Sequence, residues 1–240
     1  MVTTPHEHTV KRFDQELNTL LSQVMEMGGL VERQIAQAVE ALYEEDLGTA
    51  NEVVARDHRV NGYEVQIDEA IGRMIALRQP MARDLRTILA LSKAVTDLER
   101  IGDEAERIAR MTVHIYEASG GAPQTRLLRD AMAMAKLAGE MLRGSLDALA
   151  RRDDEKALAV ARGDSELDEQ FRDAMRRLIT FMMEDHRIIG HAIDMIFIVK
   201  ALERIGDHAK NIAEYVIYLV KGKDIRHLDS SERHATLEQD

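Results

Sequence analysis

Residues 98–109 read LERIGDEAERIA and residues 202–213 read LERIGDHAKNIA, identical at nine of twelve positions across an offset of 104. Self-similarity at that spacing is too long for a solenoid unit and long enough for a small bundle, so the chain reads as two tandem copies of one module. Both copies contain Glu-Arg-Ile-Gly-Asp. A role for Glu99 and Asp103 therefore implies the same role for Glu203 and Asp207.

The 240 residues divide naturally into two modules of about 120 residues each. Three prolines, 4% aromatic residues and no tryptophan, with abundant Ala, Leu, Arg, Glu and Met, is the composition of a helical protein. Apolar residues recur at alternating spacings of three and four through Phe13, Leu17, Leu20, Val24, Met27 and Val31, the signature of a long amphipathic helix. A second stripe runs through Val53, Val60, Ile67, Ile71 and Met74 and ends before Pro80, whose ring disfavours helix at the preceding residue. A third covers Leu91, Leu98, Ile101, Ala105, Ile108 and Thr112. Ser119-Gly120-Gly121-Ala122-Pro123 is the strongest break in the chain. The pattern then restarts at Leu127, continues through Val160 and Leu167, and closes with Leu202, Ile205, Ala209, Ile212 and Val216. No segment alternates with period two. The expected fold is all-α: two tandem pseudo-symmetric three-helix bundles over residues 1–119 and 124–222, with a polar, disordered tail at 223–240.

Charge and cysteine content narrow the function. A formal net charge of -11 argues against nucleic acid, whose phosphates demand concentrated Lys and Arg. With no cysteine, thiolate metal sites, disulfides and cysteine nucleophiles are excluded. The first residues lack the apolar core of a signal peptide, and no uncharged run approaches the roughly 20 residues that span a bilayer. A cytoplasmic protein without direct membrane insertion is expected.

At 100° per residue, Leu98, Ile101, Ala105 and Ile108 share one side of their helix, while Glu99, Asp103 and Glu106 form an opposite, exposed acidic face. Glu203, Asp207, Asn211 and Glu214 repeat it in copy two. The preceding helix carries a polar i,i+4 pair in each copy, Asp57 with Asn61 and Asp164 with Asp168. Antiparallel packing would bring each pair against Glu99 and Asp103, or against Glu203 and Asp207, along a shallow groove. Such oxygen donors suit magnesium, manganese, calcium or iron and suit zinc poorly. Asn61 leaves copy one with three carboxylates and an amide, so copy two is expected to be the stronger site.

A plainer reading competes: carboxylates on an amphipathic helix usually form a solvated face, balanced here by Arg100, Arg107 and Arg204. Gly102 and Gly206 are explained by close helix packing. His208 reads as a lone exposed side chain, His186 and His191 are spaced too unevenly to pair on one face, and the thirteen methionines read as plastic core filler.

The two three-helix halves, the run Arg78-Gln79-Pro80-Met81-Ala82-Arg83-Asp84-Leu85-Arg86 opening the third helix, and the repeated Leu-Glu-Arg-Ile-Gly-Asp resemble the PhoU family over nearly the whole chain apart from the tail. The resemblance implies a cytoplasmic negative regulator of phosphate uptake and phosphate-starvation signalling, without enzymatic activity. It implies an adaptor between the ATPase subunit of the phosphate ABC transporter and the phosphate-responsive sensor histidine kinase, and leaves a homodimer open. Some members bind iron, zinc or magnesium through paired acidic motifs. Matched position by position, the metal set here is Asp57, Asn61, Glu99 and Asp103 in copy one and Asp164, Asp168, Glu203 and Asp207 in copy two. The alternative is a carboxylate-bridged metalloenzyme, a phosphoester hydrolase on a helical scaffold. Against it stand the outward-facing acids and the absence of paired Glu-x-x-His motifs.

Overall fold

The first helix of each copy ends in the same way. At Glu45 (φ 60) and Arg152 (φ 54) the backbone turns left-handed, and the next amide, Asp46 or Asp153, reaches back 3.0 Å to the carbonyl of Ala41 or Ala148. This closes the helix by a Schellman arrangement. The same aspartates then open the following helix, their carboxylates accepting from the amides of Thr49 (3.0 Å) and Lys156 (2.9 Å). Two short Asp-containing sequences thus fold each copy back on itself.

The structure is a computed structural model describing residues 5–118 and 125–223, with side chains from residue 12 to 117 and again from 125. The expected breaks at Ser119–Pro123 and in the tail from 224 lie outside the described residues. Within the described residues all regular elements are helical: α1 (Pro5–Glu44), α2 (Leu47–Arg56), α3 (His58–Arg78), α4 (Arg83–Ala118), α5 (Thr125–Arg151), α6 (Asp154–Glu184), a 3-10 turn at His186–Ile188 and α7 (Ile189–Lys221). The second helix of copy one, expected as one piece, is interrupted at Asp57. The dihedrals there stay helical (φ -57, ψ -37), so α2 and α3 form one rod with a local tightening, seen in the 2.8 Å bond from the Val60 amide to the Asp57 carbonyl.

The halves join through α4 and α7, the most extensive helix pairing in the molecule. The pairing is antiparallel. Arg86 lies over the Tyr218 ring, Lys93 over Tyr215, Asp97 beside His208, Glu104 beside Arg204 and His114 beside Asp194. Under the offset of 104, this register brings equivalent positions level with one another near Ile101 and Ile205. The repeated motif therefore packs against its own copy at the two-fold that relates the halves. Leu98, Ile101, Ala105 and Ile108 are fully buried along α4, as are Leu202, Ile205, Ala209 and Ile212 along α7, all within one core that includes Val24 of α1 and Met134 of α5. Each such Leu or Ile contributes on the order of 1.5–3 kcal/mol. At the far end of the seam, Arg86 sits under the left-handed C-cap of α7, Gly222 (φ 73), where a cation complements the helix dipole.

Polar groups inside the seam are paired. His208, expected to be exposed and incidental, is 7% exposed, and its Nδ1 lies 2.7 Å from Asp97 Oδ1, which also accepts from Asn211 Nδ2 at 3.1 Å. Glu104, 3% exposed, meets Arg204 at 2.7 Å and Arg107 at 3.3 Å. Two of the arginines expected to balance the motif acids are thus held by an interior glutamate. The methionines divide: Met27 and Met134 are core, whereas Met81 and Met183 are exposed.

The motif glycines are packing positions, but unequal ones. A Cβ at Gly102 would come within 3.2 Å of Val60 Cγ1, whereas one at Gly206 would run into the Cδ2 methyl of Leu167, itself buried. Alanine recovers about 1 kcal/mol of helix propensity at either site, and overpacking a core costs about 1–3 kcal/mol. Urea unfolding of Gly206→Ala is expected to show a destabilised protein, and that of Gly102→Ala one within about 1 kcal/mol of the parent. The reverse order would contradict this packing.

Candidate metal centre

The acids meet where each second helix packs antiparallel on each third. In copy two Leu167 fits over Gly206, Lys210 of α7 reaches the Asp164 carboxylate of α6, and Lys200 lies 5.3 Å from the Phe171 ring. That register sets Asp164 and Asp168, one turn apart on α6, against Asp207. A carboxylate oxygen from each of these three lies within 4.8 Å of the others, with Asp164 buried and the other two half-buried. Glu203, the fourth expected ligand, is half-buried and paired with Lys200 at 2.7 Å, one turn back on α7.

In copy one Asp57 is buried, Glu99 is half-buried, Asp103 stands at the exposed rim and Asn61 is exposed, donating to Asp57 Oδ2 at 3.3 Å. The other Asp57 oxygen, Oδ1, is buried without a hydrogen-bond partner and faces α4 at Gly102. The expected outward acidic face is thus largely turned against its own second helix: Glu99, Glu203 and Asp207 are half-buried, and Asp103 stays exposed. Of its outer members, Glu106 is half-buried and salt-bridged to Arg110 at 2.6 Å, and Glu214 is buried.

Burial, and then the crowding of like charges, raises several of these carboxyls above their ordinary range. Burial raises the Asp57 carboxyl above its ordinary range, and Glu106 and Asp103 add to the effect. Burial likewise raises Glu99, with Asp103, Glu64 and Asp57 behind it, and raises Asp103 beside Glu106. Glu64 was absent from the expected set, yet burial, Asp68 and Asp103 raise it too. It follows Asp57 by seven residues, two turns along the same face, and that spacing is the sequence signal that marks it. In copy two Asp207 is pushed up to about 6 by burial and by Glu203, Asp164 and Asp168, against the opposing charge of Lys200.

Two observations bear on the expected strength of copy two: its three aspartates converge, and Lys210, standing where copy one has Glu106, sets a positive charge against Asp164.

The raised Asp207 value has a pH signature in metal-free protein. Between pH 3.8 and about 6 the folded state holds a proton that the unfolded chain releases, so this group's contribution is present below that window and is lost as pH rises through it. Asp207→Asn keeps the shape without the charge. In excess chelator it is expected to gain on the order of 1–2 kcal/mol at pH 7 in urea unfolding and to flatten the pH dependence across the window. A variant less stable than the parent at pH 7 would contradict the assignment.

The described residues define a duplicated helical scaffold with carboxylates gathered between the second and third helices, and comparison with known proteins shows its family. The PhoU domain family matches residues 24–112 and again residues 131–216. The phosphate-specific transport system accessory protein PhoU homolog of Pseudomonas putida is 45% identical over 221 residues, covering 92% of this chain and 85% of that protein. The phosphate-specific transport system accessory protein PhoU of Escherichia coli (strain K12) is 39% identical over 227 residues, covering 95% and 92%. The crystal structure of PhoU from Pseudomonas aeruginosa superimposes with a TM-score of 0.84 at 44% identity, over 88% of this chain and 100% of that one. The phosphate transport system regulatory protein PhoU from Streptococcus pneumoniae gives 0.80 at 28% identity, over 88% and 98%. The chain belongs to the PhoU family. Its relatives are named for accessory and regulatory roles in phosphate transport, and it is not an enzyme, which sets aside the phosphoester-hydrolase alternative.

Proposed function

We propose that this protein negatively regulates phosphate uptake and phosphate-starvation signalling by associating with the ATPase subunit of a phosphate ABC transporter and with a phosphate-responsive sensor histidine kinase. The observation that carries the reading is 39–45% identity over more than nine-tenths of the chain to accessory proteins of the phosphate-specific transport system. No helix among the described residues is long and apolar enough to cross a membrane, so in this reading it acts by docking to membrane proteins from the cytoplasmic side. Each groove holds a divalent cation as part of the regulatory surface. The all-oxygen donor set of Asp164, Asp168 and Asp207 suits manganese, magnesium or iron better than zinc. Asp164, Asp168 and Asp207 would hold such a cation, whose charge would offset their mutual repulsion across the pairing of second and third helices.

Deleting the gene is expected to derepress phosphate-starvation genes in phosphate-rich medium, with repression restored by the wild-type chain, and the tagged protein is expected to retain the transporter ATPase or the kinase in a pull-down. Unchanged reporter output in the deletion strain would overturn the regulatory reading.

The groove chemistry has its own test. Lys210 places a positive charge on Asp164, and removing one unit charge beside a cation in a partly exposed groove is worth on the order of 1–3 kcal/mol. Calorimetric titration of Lys210→Gln with manganese is expected to show a copy-two site about tenfold or more tighter, and Asp168→Asn one correspondingly weaker. An unchanged affinity in Lys210→Gln would mean that Asp164 is not a ligand.

A further inference from the structure

In both copies the end of the second helix packs on the first helix, and the copies close that contact differently. In copy two Arg126 of α5 covers the Phe181 ring at 4.3 Å and pairs with Glu184 at 3.3 Å, while Arg177 pairs with Asp130 at 2.7 Å. The offset that matches Asp46 with Asp153 and Asp57 with Asp164 puts Thr19, Met74, Leu77, Ala70 and Gln23 at the corresponding places in copy one. None of the stitches of copy two can form there. A cavity of about 420 Å³ opens instead between α1 and α3. Leu20 and Met74 are buried beneath it, and Leu77 at its edge is 70% exposed.

The rim of this groove is cationic. Arg12, Arg73 and Arg78 line it against one acid, Glu16, which already receives Arg78 at 2.6 Å and Arg12 at 3.2 Å. Arg73 is exposed, and no acid among the described residues pairs with it. An excess of arginine stands out on a chain whose net charge is -11. An apolar floor under such a rim suits a peptide that sets an aliphatic side chain beside carboxylates.

The chain contains a segment of this chemistry. Residues 224–240 read DIRHLDSSERHATLEQD, five acids against two arginines, with Leu237 next to Glu238. This segment follows Gly222, the C-cap of α7, against which Arg86 of α4 lies. Arg78 at the groove and Arg86 are eight residues apart in the chain, which limits their separation to less than about 30 Å. The stretch from Gly222 to Leu237 spans up to about 50 Å when extended. It is long enough to cross that interval.

We propose that residues 235–240 return from the end of α7 and occupy the α1–α3 groove of copy one, with Leu237 against Met74 and Leu77 and with Glu238 and Asp240 facing Arg73 and Arg12. The end of copy two is thereby strapped to the first two helices of copy one. A partner segment of the same acidic and aliphatic chemistry reaches the groove only by displacing the strap.

The chain has no cysteine, so an introduced pair reports contact directly, a disulfide requiring Cα atoms within about 7 Å. In the full-length protein treated with diamide, Leu77→Cys with Leu237→Cys is expected to close an intramolecular disulfide about tenfold or more faster than Ile75→Cys with Leu237→Cys. Ile75 is exposed on the same helix and outside the groove, about 200° around from Leu77, and serves as the control for simple proximity. Adding Arg73→Glu to the Leu77 pair is expected to remove most of the advantage, and adding Glu238→Arg as well to restore it, with circular dichroism verifying the fold of each variant. Equal rates for the two pairs would overturn the proposal. So would disulfides that join two chains instead of closing within one, because a second copy would then occupy the groove. An advantage that persists unchanged in Arg73→Glu would overturn the electrostatic basis of the strap.

Discussion

The structure depends on the antiparallel packing of α4 on α7. The repeated Leu-Glu-Arg-Ile-Gly-Asp serves two faces of one helix: Leu98, Ile101, Leu202 and Ile205 seal the seam between halves, while Glu99, Asp103, Glu203 and Asp207 turn toward the second helix of their own half. Because the two-fold passes near Ile101 and Ile205, the acidic grooves lie on opposite flanks of one central helix pair. A change in how either groove holds its second helix is therefore applied to the same seam. The buried pairs Asp97 with His208 and Glu104 with Arg204 gain little net stability after desolvation. Their contribution here is register, since sliding α7 by one turn would strand the buried Asp97, Glu104 and His208.

Around this symmetric seam the two copies have diverged in a compensated way. Lys210 for Glu106, Phe171 for Glu64 and Asp168 for Asn61 all fall along the contact between second and third helices, whereas Leu98, Ile101, Ala105 and Ile108 of the seam recur as Leu202, Ile205, Ala209 and Ile212. The half-broken rod at Asp57 belongs to the same pattern. Asp57, with helical dihedrals and one carboxylate oxygen buried without a hydrogen-bond partner, lies where Val60 packs against Gly102, and an unpaired buried acceptor costs stability.

Much of this was legible in the sequence because helical periodicity and duplication are local signals. The stripes through Val24, Leu98 and Leu202 gave the core, and Pro80 ended α3 close to where expected. The approach of Asp164 and Asp168 to Asp207 followed from the spacing within copy two. What was not legible depends on contacts between distant elements. His208 looks exposed on its own helix wheel because the wheel contains no Asp97, 111 residues away. Arg204 looks like a partner for neighbouring acids until Glu104 arrives from the other half. Glu64 went unnoticed because the paired i,i+4 pattern drew attention to Asn61, and only the register of α3 on α4 shows that the seventh residue, not the fourth, turns inward. The inter-copy register is similarly invisible in either copy alone.

If the seam makes one cooperative unit of the two halves, they must unfold together. The most direct measurement is equilibrium urea unfolding followed by pulsed hydrogen exchange and mass spectrometry, comparing peptides that cover residues 98–109 of α4 with those that cover residues 202–213 of α7. Both are expected to lose protection at the same urea concentration, in one transition whose steepness reflects the surface exposed by the whole chain. Separate midpoints, with one half retaining protection after the other has lost it, would contradict the account.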